Sequence, residues 1–173
     1  MAFSTDLQIE LIATGEKAGL WGTITNNNLQ ILELASSGYF STAALATGNL
    51  TLQLDNGSAA GTTTASGKNL MIEVTGTLTA NRVITMPTGA ERIFIVKDST
   101  VRSSSNFTIG VQNVGATTGI VPLTSGASTI YYTDGTTADS MKLLGVLNKS
   151  LYNVVGGTNS PYTAIAGDTL FVS

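Results

Sequence analysis

The sequence predicts a mainly β protein: an antiparallel β-sandwich or jelly-roll-like domain with an N-terminal extended arm and one short helix. Three observations predict it. Short runs rich in Val, Ile, Thr, Tyr and Phe recur about every ten residues through the middle of the chain. Turn-forming pairs such as Asp134-Gly135 separate the runs. No helical pattern lies between them, which argues against parallel strands joined by crossover helices.

Composition divides the chain into three zones: an arm with a short helix over 1–48, the sandwich over 49–147, and a tail over 148–173. In the first zone, Gly15, Gly19 and Gly22 interrupt any regular element and suggest an arm that traces a surface. Asn26-Asn27-Asn28 offers N-caps, and Leu29, Ile31, Leu32, Leu34 and Ala35 follow at helical spacing. Ser36-Ser37-Gly38 supplies the stop, with Gly38 suited to a left-handed C′ position. A helix of roughly ten residues is marginal alone, so this one is expected to dock on something.

In the middle zone the strand candidates are Leu50–Leu54, Leu70–Val74, Val83–Met86, Arg92–Val96, Phe107–Val111, Ile120-Val121 and Ile130–Tyr132. Asp55-Asn56-Gly57, Pro87-Thr88-Gly89, Thr124-Ser125-Gly126 and Asp134-Gly135 mark the turns between them. Period-two alternation places one of Tyr131 and Tyr132 inside and the other outside. In the tail, Gly156-Gly157 and Ser160-Pro161 act as breakers before a strand candidate at Thr169–Val172, which either completes its own sheet or adds to a neighbour's edge.

Function classes narrow by what is missing. The chain has no histidine and no cysteine, and only 11% of its residues are charged. The commonest general base, the thiol nucleophile and the usual zinc ligands are therefore absent together. A disulfide framework is excluded. Eight Lys and Arg against eleven Asp and Glu, with the cations scattered singly, do not form the basic face of a nucleic-acid binder. Apolar stretches such as Leu143–Leu147 fall far short of the roughly 20 residues a spanning helix needs, and the N-terminus lacks the pattern of a signal peptide. No catalytic residue, metal ligand set or cofactor site is assigned, and neither nucleic acid nor a membrane is expected as a partner.

Four local patterns carry bland readings. Gly61–Lys68 resembles a phosphate loop, but its spacing fails and Asn69 stands where a magnesium-ligating hydroxyl belongs, so it reads as a flexible hairpin loop. Asp134 and Asp139 are the carboxylate pair a hydrolase would use, yet Asp at turns ordinarily accepts backbone N–H bonds. The Asn-x-Ser/Thr sequons at Asn49, Asn56, Asn106 and Asn148 are expected by chance in so Asn-, Ser- and Thr-rich a chain. Trp21, alone in a glycine-spaced segment, either anchors that segment to its own domain or serves as an interface anchor.

The stretch Gly15-Glu16-Lys17-Ala18-Gly19-Leu20-Trp21-Gly22-Thr23-Ile24-Thr25-Asn26-Asn27-Asn28-Leu29 resembles a Gly-Glu-x-Ala-Gly-x-Trp-Gly-x-x-Thr-Asn-x-Asn-Leu signature near the N-termini of structural proteins of tailed bacteriophages, especially phages of aquatic bacteria and cyanobacteria. Val74–Pro87, Phe94–Thr100 and Tyr131–Thr136 resemble phrases of the domain that often follows it. The chain departs from that pattern in having Leu20 before the Trp and Asp98 where Asn is common. The resemblance implies a virion protein, either a capsid decoration (cement) protein on the capsid surface or a tail or head fibre component that binds host glycans. It also implies a homotrimer, with the major capsid protein as partner of the decoration type. Tyr162–Val172 looks like the opening strand of a further domain cut short, and this brevity favours the decoration type. Leu20, Trp21, Ile24, Asn26 and Leu29 are the expected capsid-binding residues; for the glycan-binding alternative, Tyr132 is the exposed aromatic candidate.

Overall fold

The computed structural model describes residues 2–55, 65–136 and 139–147. The terminal strand candidate at Thr169–Val172, the sequons at Asn56 and Asn148 and the first half of the Gly61–Lys68 loop lie outside the described residues. Among those described, the fold is mainly β with one helix, as expected. Its strands are β1 (Ala2–Phe3), β2 (Glu10–Leu11), β3 (Tyr39–Thr42), β4 (Leu50–Thr51), β5 (Met71–Val74), β6 (Thr77–Leu78) and β7 (Arg82–Met86). They continue with β8 (Arg92–Asp98), β9 (Val101–Arg102), β10 (Ile109–Asn113), β11 (Val121–Pro122), β12 (Ser128–Thr133) and β13 (Lys142–Leu147). The helix α1 spans Trp21–Ser37.

The sheets are mixed, which corrects the antiparallel expectation. A five-stranded sheet runs β13-β12-β8-β5-β3 and a four-stranded sheet runs β11-β10-β7-β4. Within them β3, β5 and β8 are mutually parallel, as are β4, β7 and β10, and β6 pairs parallel with β9. Parallel neighbours need a long connection, usually a helix. Here the connection is made of strands belonging to the other sheets. The chain passes β5, β6, β7 and then β8, β9, β10, each strand landing beside its counterpart: Met71 opposite Ile95, Thr77 opposite Val101, Arg82 opposite Ile109. The backbone therefore winds as a coil. Antiparallel pairing is confined to the closing strands β11, β12 and β13 and to the small β1–β2 hairpin.

Alternation along these strands aims one set of side chains inward. Ile72, Val74, Phe94, Val96 and Tyr131 from one sheet meet Ile84, Met86, Ile109 and Val111 from the other, with Leu78 of β6 closing the side, in one buried cluster. The rings of Phe94 and Tyr131 stack at 5.7 Å between centroids. Tyr131 hydrogen-bonds the Pro122 carbonyl at 2.9 Å, and burial pushes its phenol up from the usual range. Tyr132 points outward, donating to Glu91 at 2.7 Å. Successive turns of the coil are also tied by asparagines: Asn49 accepts the Val83 N–H and Asn81 the Thr108 N–H, each at 3.0 Å. The Asn49 side chain is thus a structural acceptor.

Two glycines matter through close approach. A Cβ on Gly135 (φ +70°) would lie 2.3 Å from the carbonyl carbon of Ala90. Gly38 is extended (φ −63°, ψ 141°), not left-handed as expected at a C′ position. Its requirement is steric: a Cβ there would lie 2.4 Å from the Leu34 carbonyl oxygen and 2.7 Å from Asn69 Oδ1.

The helix begins at Trp21, so Asn26-Asn27-Asn28 lie inside it and are not caps. Leu20 occupies the N-cap position without a side-chain cap bond. Asn28 instead clamps the N-terminal segment: its Oδ1 accepts the Glu10 N–H and its Nδ2 donates to the Glu10 carbonyl, both at 2.9 Å. Lys17 pairs with the buried Glu10 at 3.1 Å. The residues expected as an extended arm are therefore folded back on the helix through the β1–β2 hairpin. Replacing Asn28 by alanine removes two hydrogen bonds, and the chain is expected to lose about 1–2 kcal/mol of stability in denaturant titration. The Glu10 amide should then lose hydrogen-exchange protection before the sheets do.

Candidate interaction face

Helix α1 buries one side and leaves a second apolar side uncovered. Ile24 is 6% exposed and Ile31 fully buried, while Trp21 is 55%, Leu29 57% and Leu32 42% exposed. At 100° per residue, Trp21, Leu32 and Leu29 fall within an arc of about 80° beside the buried face. Leu20, 52% exposed, is the N-cap residue and lies about 100° from Trp21, on the far side of the buried face. Glu33 is the one charged residue in Trp21–Ser37 and lies about 40° beyond Leu29, one turn further along, so the strip's border is otherwise made of neutral side chains. A solvated helix face ordinarily carries charge. A neutral apolar strip with an exposed Trp has the composition of an interface core, where aromatic residues are enriched and Lys and Glu depleted.

Of the five residues expected to bind the capsid, Leu20, Trp21, Asn26 and Leu29 lie at the surface. Asn26 sits some 60° beyond Leu29 around the helix, at the strip's margin. Ile24 is buried within the chain and offers nothing to a partner, because it shares the inward face with Ile31. Leu32 belongs to the strip and was missed. Its three-residue spacing from Leu29 is visible in the sequence, but a helix taken to start after Asn28 hides its alignment with Trp21.

The turn carboxylates are held by backbone. Asp139 accepts the N–H groups of Thr117, Thr118 and Gly119 at 3.2, 3.0 and 2.8 Å, and these bonds draw its pKa down. Asp134 accepts the Thr136 N–H at 2.8 Å, as an Asp opening a turn does. On the outer face of the five-stranded sheet, Glu73 takes hydrogen bonds from Tyr39, from Ser99 at 2.6 Å and from Lys97 at 2.7 Å. These partners, Lys97 foremost, hold its carboxyl down at about 2. Among the described residues no three His, Cys, Asp or Glu gather as a metal-binding group, and no helix is long and apolar enough to cross a membrane.

The Gly61–Lys68 segment differs from a flexible loop at its described end. Ser66–Lys68 is a buried 3-10 turn, with Lys68 only 3% exposed. Among the described residues Lys68 Nζ has no hydrogen-bond partner, and desolvation lowers its pKa to about 8 against the opposing pull of Asp55.

Comparison with known proteins leaves the site to its own geometry: no family model matches the chain, and neither a curated protein nor a solved structure matches it.

Proposed function

We propose that this chain is a bacteriophage capsid decoration protein that docks on the outer shell through the apolar strip of α1 and stabilises the shell without catalysis. The observation that carries the reading is the uncovered strip of Trp21, Leu29 and Leu32, with exposed Leu20 at the helix start. Its residues Trp21 and Leu29 fall within the segment Gly15–Leu29 on which the resemblance to phage virion proteins rests, and Leu32 lies just beyond it. A joint between shell subunits needs apolar anchors and backbone-scale complementarity, not an active site. Assembly as a homotrimer would present three such strips at once and multiply weak single contacts into stable attachment.

The direct test mixes the purified full chain with particles or empty shells stripped of it and follows co-sedimentation. The expected result is saturable uptake at a fixed ratio to the major capsid protein. Absence of uptake at any concentration would remove the reading. The alternative, a tail or head fibre component that binds host glycans, draws support from a hydroxyl-lined cavity at the opposite edge of the sheets. Tyr132, the expected aromatic for that role, has its hydroxyl engaged by Glu91.

A further inference from the structure

The helix leads into β3 at one edge of the five-stranded sheet. A concavity lies elsewhere, beside β9, β10 and β11, with a volume of about 480 Å³. That volume falls in the range of small-ligand sites, roughly 300–1,000 Å³. Its wall combines Phe107, Ile109 and Leu123 with the hydroxyls of Ser105 and Ser125 and the side chain of Arg102.

Beneath this wall is a fixed ion pair. Arg102 Nη2 meets Asp98 Oδ2 at 2.7 Å, and the Asp98 side chain is fully buried. Asp98 also accepts the Thr100 N–H at 3.0 Å, the Thr100 hydroxyl at 2.6 Å and the Gly126 N–H at 3.4 Å, so its acceptor capacity is used. The guanidinium is not used up: among the described residues its one bond is from Nη2 to Asp98, and its Nε is buried beneath the surface, which leaves the remaining Nη donors for a ligand.

We infer that this cavity binds a single neutral sugar residue, with Arg102, Ser105 and Ser125 meeting its hydroxyls and Phe107 its C–H face. The chemistry selects this class over the others. The one cation at the cavity is already neutralised by Asp98, so phosphate or carboxylate ligands gain no net charge. The hydroxyls and spare guanidinium donors suit a ligand that both donates and accepts. An aromatic wall held by packing against the core supplies the flat apolar contact a pyranose ring presents. The inference stands apart from shell docking, since no residue of α1 lines the cavity.

The test titrates the full chain with glucose, galactose, mannose, N-acetylglucosamine and glucuronic acid, following amide resonances by NMR. The expected result is saturable shifts at Ser105, Phe107 and Ser125 with at least one neutral sugar, at millimolar Kd (roughly 1–10 mM, as a small weak ligand gives). Ser125→Trp, which fills the cavity from an exposed position, should abolish those shifts while the remaining spectrum is unchanged. Phe107→Ala should weaken binding about tenfold or more. Three results would each overturn the inference: no saturable shift with any neutral sugar, shifts that survive Ser125→Trp, or tighter binding of glucuronic acid than of every neutral sugar. None of them bears on co-sedimentation with shells.

Discussion

Trp21→Ala is expected to cut occupancy on shells by about 30-fold or more while leaving the fold intact. Truncating a central aromatic anchor costs an interface about 2 kcal/mol or more, which is the corresponding factor in Kd. The fold is spared because the indole is 55% exposed and makes no part of the buried cluster. Surface substitutions of that kind change stability by about 0.5 kcal/mol or less. A trimer would amplify the loss, since each of its three strips weakens together. Ile24→Ala is the contrasting variant. Its side chain is buried, so its expected cost of about 2–4 kcal/mol falls on folding, and its binding deficit should track the unfolded fraction. Thermal melts alongside a shell-binding titration separate the two. Full occupancy by Trp21→Ala at wild-type concentrations would remove the helix strip from the docking account.

Lys68→Met is expected to stabilise the chain at pH 7 by about 2–3 kcal/mol. The ammonium is buried without an acceptor among the described residues, and desolvation lowers its pKa from 10.5 to about 8. Below pH 8 both the folded and unfolded chains hold the proton, and the folded state bears the full cost of the buried charge. Between about pH 8 and 10.5 the folded chain has released the proton while the unfolded chain retains it. Stability therefore rises with pH through that window, by 1.36 kcal/mol for each unit separating the two pKa values. Asp55 and Arg92 face this group with opposite signs: Asp55 favours the charged form and Arg92 opposes it. Lys97 works the other way overall, since Glu73 raises its pKa and its contribution is lost at high pH. The difference between wild type and Lys68→Met isolates the Lys68 term. Denaturant unfolding at pH 7, 9 and 10.5 should show the gap closing as pH rises. A gap independent of pH, or a less stable variant at pH 7, would contradict this account of Lys68.

The strands were readable and their partners were not. The runs Leu70–Val74, Val83–Met86 and Arg92–Val96 fall on β5, β7 and β8, and alternation about the outward Glu73 points Ile72 and Val74 inward, where the structure buries both. Nothing in that alternation says that Ile72 sits between Phe40 and Val96, because period two chooses a face and not a neighbour. Strands of two residues, such as β6 and β9, carry too little pattern to be seen, yet they complete each turn of the coil and make its parallel pairing possible. The helix start was hidden for a different reason. Leu20 caps it without a polar side chain, whereas three asparagines that resemble caps lie inside. Trp21 and Leu29, expected at a docking surface by residue type, are both exposed. The burial of Ile24 and the exposure of Leu32 depend on which side of the helix the hairpin and sheets cover.

The central claim, attachment to many equivalent places on a shell, is tested most directly by copy number. Quantitative mass spectrometry of purified particles would measure this chain against the major capsid protein. The account predicts a copy number comparable to that of the shell protein, because only a closed symmetric shell offers so many equivalent sites. A handful of copies per particle, or none, would contradict it.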